Sequence, residues 1–393
     1  MGIPEELKKN YYRTIAVKRI KNKEFVGSSP PSVFVSHHGY PKVEISPVSP
    51  TEILQNAKFY DSPEKWFNVP MEEIISMRHS LVHSVKHIEV IQAKDPSYEL
   101  ISLQEIAMAK DAVNIDVELY KDPSPEIKFS NILAPIGPKA PMKKFSFEDN
   151  PKISEKVDYL VSDTDAKSTD SMLELYKSGL PVSNIYKILS TGALGIKKNR
   201  RLVPTKWSIT ATDDTISKNI INEKIKYNQQ ISEIQLFESN YLDNRFFIIL
   251  IPGAWQYEML ECWLAYSYKD KTKTPEIIQD FEPYTGRKKY ASNITGAYYS
   301  GRLGVVEYLE KKQKQAAVLL LREIGQNYNT PMGVWQIREN TRNAMKEKPL
   351  TFFDIKLLWE YLSKKMEIPV KYYKKISKVF DSTQNQKKLS DWN

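Results

Sequence analysis

The chain has 393 residues, 41% of them hydrophobic, which allows two or three domains with sizeable cores and excludes wholesale disorder. Lys and Arg number 57 against 48 Asp and Glu, and the formal net charge of +9 favours nucleic acid or another anionic partner. The single cysteine, Cys262, rules out an intrachain disulfide and any cysteine-based zinc finger. The opening Met-Gly-Ile-Pro-Glu-Glu-Leu-Lys-Lys has no apolar centre for a signal peptide. No run approaches the ~20 apolar residues of a membrane span. A cytoplasmic protein without a membrane partner is expected.

Residues 1–24 are polar and basic and read as an extended arm or short helix. The stretch 27–50 is dense in Pro, Ser and Gly around two short apolar runs, so it predicts strands at 32–35 and 42–45 joined through His37-His38-Gly39-Tyr40-Pro41. The spacing of Ile74, Ile75, Leu81, Val82 and Val85 predicts a helix over 71–90, entered after Pro70. Ser102-Leu-Gln-Glu105 has the form of a capping box and predicts a helix running to about residue 121. The proline-rich stretch 123–151 reads as a long loop. Helices are expected at 163–179 and 182–190, a strand at 203–211 and a helix at 212–235. The apolar run 245–251 predicts a buried strand, and a second strand is expected at 262–268. The polar stretch 269–283 reads as a domain boundary. Beyond it come a helix at 295–312, strands at 316–322 and 333–337, and helices at 338–346 and 350–366. Strands alternating with helices argue for α/β or α+β architecture, with mixed sheets flanked by helices, two closely associated domains and a flexible tail at 381–393.

Several groups of residues carry chemistry. Lys197, Lys198, Arg200 and Arg201 fall within five positions, followed by Lys206, Trp207 and the acids Asp213 and Asp214. Cations beside an aromatic suggest a surface that handles a polyanion; the same residues also fit a solvated turn, a strand and a capped helix. Gly286-Arg287-Lys288-Lys289, with Tyr298, Tyr299 and Arg302, forms a second basic-aromatic cluster. Lysine and arginine neutralise phosphates, and aromatic faces stack on unpaired bases. Ala297, Gly301 and Gly304 leave one face of that helix open to close backbone approach.

The acid pairs Asp163/Asp165 and Asp213/Asp214 have the chemistry to hold magnesium for phosphodiester hydrolysis, and equally to cap helix N-termini. Glu258, Glu307 and Glu323 are further acids that no motif ties to these pairs. The five histidines lie between His37 and His87. On a helix, His79, His83 and His87 share a face, but i to i+8 spans about 12 Å, so two of them at most reach one ion. No phosphate loop of the Walker type and no Gly-x-Gly-x-x-Gly is present. In the tail, Gln386, Leu389 and Trp392 are spaced to form one plug for an apolar pocket in a tight turn.

These blocks together resemble the Nre family of archaeal DNA-repair proteins. The resemblance rests on Gly27-Ser-Ser-Pro-Pro-Ser-Val-Phe-Val35, Gly39-Tyr-Pro-Lys-Val43, Asp163-Thr-Asp-Ala-Lys-Ser168 and Arg201-Leu-Val-Pro-Thr-Lys-Trp-Ser-Ile-Thr-Ala211. It is extended by Pro252-Gly-Ala-Trp255 with Glu258, Gly286-Arg-Lys, Gly296-Ala-Tyr-Tyr-Ser-Gly-Arg302, Leu321-Arg-Glu323 and Gly333-Val-Trp335. It implies a role in DNA repair, with DNA and the sliding clamp (PCNA) as partners and a clamp-binding peptide at Gln386, Leu389 and Trp392. It also implies an N-terminal domain over 25–270 and a C-terminal one over 271–380. Two departures stand out. Residues 8–23 carry no cysteine where many family members have a zinc-finger-like segment. A clamp peptide ends with two aromatics, whereas Trp392 is followed by Asn393. The resemblance brings no reaction with it. A metal-dependent nuclease or other hydrolase acting on damaged DNA or nucleotides, using Asp163, Asp165, Asp213, Asp214 or Glu258 and a divalent ion as its cofactor, is the alternative expectation; a non-enzymatic repair scaffold is another.

Overall fold

The computed structural model describes residues 12–16, 20–268 and 270–385. They form two compact units, one made of residues 12–216 with 331–335 and the other of 217–330 with 336–385. Both are mixed sheets with helices, an α+β architecture. Among the described residues no helix is long and apolar enough to cross a membrane.

The first unit is built on a six-stranded sheet in the order Glu24–Ser29, Val113–Leu119, Lys139–Phe147, Val82–Glu89, Lys42–Ser49, Val33–Val35. Only the Val82–Glu89 and Lys139–Phe147 pair is parallel; the other ladders are antiparallel. Val113–Leu119 shows why such strands form. Val113, Ile115, Val117 and Leu119 point into the core, while Asn114, Asp116 and Glu118 alternate outward. Leu100, Leu103 and Ile106 of the Tyr98–Met108 helix join the same core. A separate strand, Tyr12–Ala16, pairs with Glu126–Ser130.

In the second unit the order is Ile278–Glu282, Gln256–Trp263, Ala317–Ile324, Asn244–Ile251, Ile234–Tyr241, Leu350–Phe352. Gln256–Trp263 and Ala317–Ile324 run parallel and need a crossover, which includes the Gly296–Lys312 helix. A Cβ on Gly301 would sit 2.9 Å from the Tyr257 hydroxyl, and one on Gly304 would sit 2.7 Å from Thr341 Cγ2. The small-residue face therefore does admit close neighbours. Two buried glutamates fasten the C-terminal helices. Glu258 accepts hydrogen bonds from the Ser377 hydroxyl (2.6 Å) and from the Lys378 and Val379 amides. Glu323 accepts from the Glu367 and Ile368 amides at 3.0 and 2.8 Å.

Several sequence expectations change. The 71–90 helix stops at Ser80, and Val82–Glu89 is a strand with a partner on each side. Its Val82, Val85 and Ile88 satisfy a strand as well as a helix, and two ladders decide between them. The Ser102 capping box does not open a helix. Ser97 caps it, accepting from Leu100 N, and Ser102 lies one turn inside. The helix ends at Met108 because the period-two pattern of 113–119 makes a strand. The stretch 123–151 contains two strands, Glu126–Ser130 and Lys139–Phe147. The expected strand at 203–211 is the start of the Thr205–Glu223 helix. Its buried Thr205, Ser208, Ile209, Thr212, Asp213, Ile216 and Ser217 recur at three and four, the helical spacing. The strand expected at 262–268 is instead the end of Gln256–Trp263 and a short helix, Leu264–Ser267. Trp335 starts a helix to Ala344, replacing the strand at 333–337. Gly333, at φ +91°, makes the turn before it, and a Cβ there would lie 2.6 Å from the Leu133 backbone. Residues 350–352 form an edge strand ahead of the Ile355–Lys365 helix.

Candidate nucleic-acid interface

In the first unit, the Val33–Val35 strand, the Met71–Ser80 helix, the Val182–Ser190 helix and the start of the Thr205–Glu223 helix surround a small cavity of about 40 Å³. Its lining includes Ser32, Phe34, Asp61, Arg78, Lys187 and Thr205. Asp61, Arg78 and Lys187 are all buried. Arg78 Nη1 donates to Asp61 Oδ1 at 2.5 Å and Nε to the Pro135 carbonyl at 2.8 Å. Lys187 Nζ reaches Asp61 Oδ2 at 2.8 Å and the Asp61 carbonyl at 2.7 Å. Burial works against the charged Asp61 carboxylate, but Lys187 and Arg78 outweigh it and hold its pKa below the usual range. Thr205 Oγ1 accepts from the Val35 amide at 2.9 Å and lies 3.0 Å from Ser190 Oγ.

The surface of the same unit carries an aromatic and basic patch. Tyr40 and Trp207 are about half exposed, and their rings lie 5.9 Å apart at 50°. Lys139 Nζ sits 5.4 Å over the ring of Phe34, which also lines the cavity. His37 packs against His38 with ring centres 4.0 Å apart. Partial burial, then His38, Lys206 and Lys139, lower the His37 pKa, so three positive or potentially positive groups crowd this site. Lys197, Lys198 and Arg201 are exposed on the turn just before the helix. Lys139 is paired with Glu44 at 2.6 Å, so the field comes from Lys197, Lys198, Arg201 and Lys206. With two half-exposed rings beside them, this matches what an unpaired strand requires: a phosphate-attracting field and faces on which bases stack.

The other singled-out residues have different positions. Arg200 is a structural arginine. Its Nε donates to Gly195 O, and Nη2 to the carbonyls of Val161 and Asp163. Asp163 ends the Glu155–Ser162 helix and does not start one; its carboxylate accepts from the amides of Asp165 and Ala166, which hold its pKa low. Asp213 and Asp214 lie two turns inside the Thr205–Glu223 helix, so they are not N-caps, and Asp213 is fully buried. Glu258 is occupied by the helix amides described above, leaving it no open coordination or catalytic face.

In the second unit, Tyr298, Tyr299 and Arg302 are buried and present no face to a base. Arg302 pairs with Glu282 at 2.5 Å and donates to Ser217 Oγ at 3.1 and 2.9 Å. Arg287 is held by Asp280 at 3.0 Å, by backbone carbonyls and over the Tyr298 ring. Lys288 and Lys289 are exposed. His83 is fully buried on its strand, with Ser46 Oγ 3.2 Å from Nδ1, and His87 is exposed. No helical histidine face exists, because the strand begins at Val82. Among the described residues no group of three or more His, Cys, Asp or Glu side chains is placed to share a metal ion. Gln386, Leu389 and Trp392 lie outside the described residues.

Reading the sequence missed His37, Tyr40, Arg78, Lys139 and Lys187 as site residues. Ser32 and Thr205 sit in two of its most distinctive blocks, and that juxtaposition was the available signal.

The model of the archaeal Nre N-terminal domain matches residues 6–268, and that of the archaeal Nre C-terminal domain matches 282–392. The chain belongs to the archaeal Nre family. It is 36% identical over 348 residues to the DNA repair protein NreB of Archaeoglobus fulgidus, covering 88% of this chain and 87% of that one. It is 35% identical over 337 residues to the DNA repair protein NreA of the same organism, covering 86% and 84%. For the DNA repair protein NreA of Haloferax volcanii the identity is 32% over 334 residues, covering 83% and 79%. No solved structure gives a significant match. The family's two sequence domains and the two compact units do not share a border, since residues 217–268 fall in the N-terminal Nre domain and in the second unit.

Proposed function

We propose that this Nre protein acts in DNA repair, binding DNA through the first unit and reaching repair sites by docking on the sliding clamp with its C-terminal peptide. The relatives' names support the repair role. The observation that carries the DNA-binding part is the half-exposed Tyr40–Trp207 pair set beside Lys206 and His37, with the exposed Lys197, Lys198 and Arg201 on the turn before the helix. Tyr298, Tyr299, Arg302 and Arg287 drop out of this reading because they are committed to the interior of the second unit. Of the carboxylates proposed for hydrolysis, Asp163 is engaged by the Asp165 and Ala166 amides, Glu258 by the Lys378 and Val379 amides, and Asp213 is buried within the Thr205–Glu223 helix.

The clamp part rests on Gln386, Leu389 and Trp392. Deleting residues 386–393, or combining Leu389→Ala with Trp392→Ala, is expected to abolish co-elution with clamp trimers in gel filtration. Undiminished co-elution would remove the clamp from the account. Binding of a fluorescent single-stranded oligonucleotide by the full chain tests the DNA part, with weakening on added salt as the expected signature.

A further inference from the structure

The cavity in the first unit contains two buried cations and one buried carboxylate. Asp61 can neutralise either Arg78 or Lys187, not both, so the cluster carries one excess positive charge away from bulk water. An unmatched buried charge is costly unless something compensates it. The protein leaves donors for that purpose. Arg78 spends Nε and Nη1 on Pro135, Tyr60 and Asp61, and its Nη2 has no hydrogen-bond acceptor among the described residues. Lys187 spends two of its three hydrogens on Asp61. Arg78 is 6% exposed and Lys187 3%, and both line the cavity. The Ser32 and Thr205 hydroxyls on the same wall are already engaged, by Asp61 and by Ser190, so the donors left over are those of Arg78 and Lys187. Thr205 is also the first residue of a 19-residue helix, whose N-terminal end brings partial positive charge to the same wall.

We propose that this cavity binds one phosphoryl group. A volume of about 40 Å³ holds roughly three water-sized groups, the number of free oxygens on a terminal phosphate. A guanidinium and an ammonium together are a donor pair that such a group takes. Apolar side chains including Val33, Val48, Leu133 and Ile136 also line it and lower the local dielectric, which strengthens the ionic contact. The cavity is too small to pass a continuing chain, so the phosphate is either a free ion or the end of a larger molecule. Phe34 connects the lining to Lys139 and the surface around His37 and Trp207. An unpaired strand lying on that surface would be positioned to insert its terminal phosphate. The source of the phosphate rests on the DNA-binding reading; phosphate binding itself does not.

The test uses the full chain. Its melting temperature is measured as inorganic phosphate replaces chloride at constant ionic strength. The expected result is a saturable rise of about 2–5 °C, as for a ligand specific to the folded state. Lys187→Met, which keeps the matched Arg78–Asp61 pair, is expected to lose that rise and to fold, as judged by its circular dichroism. Trp207→Ala is expected to keep it. A flat response in the wild type, or an undiminished one in folded Lys187→Met, would overturn the proposal. Oligonucleotides with a 5′-phosphate, a 3′-phosphate or neither then identify the source. Tenfold tighter binding of one phosphorylated end, lost in Lys187→Met, assigns a DNA terminus. Equal binding of all three, with the inorganic phosphate response intact, assigns a free phosphate or nucleotide. Should the protein bind no DNA while phosphate still stabilises it, the DNA-binding reading fails and this one stands.

Discussion

Replacing Arg302 with Met is expected to destabilise the second unit by about 3–5 kcal/mol, the cost of breaking a buried ion pair by removing one partner. Arg302 is completely buried, paired with Glu282 at 2.5 Å and bonded twice to Ser217. Its guanidinium also lies over the Tyr298 and Tyr299 rings, at 5.8 and 5.3 Å. Without it, Glu282 keeps the Trp255 indole at 3.2 Å but loses its counter-ion. Urea denaturation followed by circular dichroism measures the loss. Adding Glu282→Gln should recover part of it, because the orphaned charge is then gone. A stability within about 1 kcal/mol of wild type, with DNA affinity reduced instead, would return Arg302 to the surface role its sequence context suggests.

Arg302 also illustrates what the sequence leaves open. Gly296-Ala-Tyr-Tyr-Ser-Gly-Arg302 places aromatics and a cation in one short span, and such a span reads the same whether it faces DNA or a core. Only the packing of Gly301 on Tyr257 and Gly304 on Thr341 shows which, and it buries the helix on nearly all sides. The strands Asn244–Ile251 and Ala317–Ile324 were legible because continuous apolar runs of that length have few alternatives. The helices Ser168–Lys177 and Val182–Ser190 have an apolar stripe and were legible, and Gly296–Lys312 was expected as a helix although it is buried on nearly all sides and has no such stripe. Thr205–Glu223 was not. Its first turns alternate apolar and polar residues with β-branched Ile209 and Thr210, a strand-like surface pattern, while the burial that decides its state recurs at helical spacing. The cavity was the least legible feature. Asp61, Arg78 and Lys187 are far apart in the chain, and no local pattern links a cation on one helix to a carboxylate on another segment. Only Ser32 and Thr205 fell in blocks already marked as distinctive.

Trp207→Ala is expected to weaken single-stranded DNA binding by about 1–3 kcal/mol, roughly fivefold to 150-fold, the worth of one base stacked on an aromatic. The ring is half exposed on a helix whose buried face is made by other residues, so its removal opens no cavity. Stability should therefore change by no more than about 0.5 kcal/mol. Tyr40→Ala should add to the loss by less than its own single effect, because the two rings are neighbours 5.9 Å apart and share the stacking surface. Fluorescence anisotropy with a labelled oligonucleotide reads both changes. Equal affinity of the wild type and Trp207→Ala would show that this ring takes no base.

The salt dependence of DNA affinity tests the central claim most directly. Oligonucleotide binding would be titrated at a series of salt concentrations for the wild type and for Lys197→Ala, Lys198→Ala and Arg201→Ala combined. Each lost phosphate contact removes about 0.7 from the slope of log affinity against log salt on a single strand. The account predicts a slope shallower by about 2 in the triple variant, with weaker binding at low salt. Identical slopes would contradict it and place the DNA, if it binds at all, on another face of the protein.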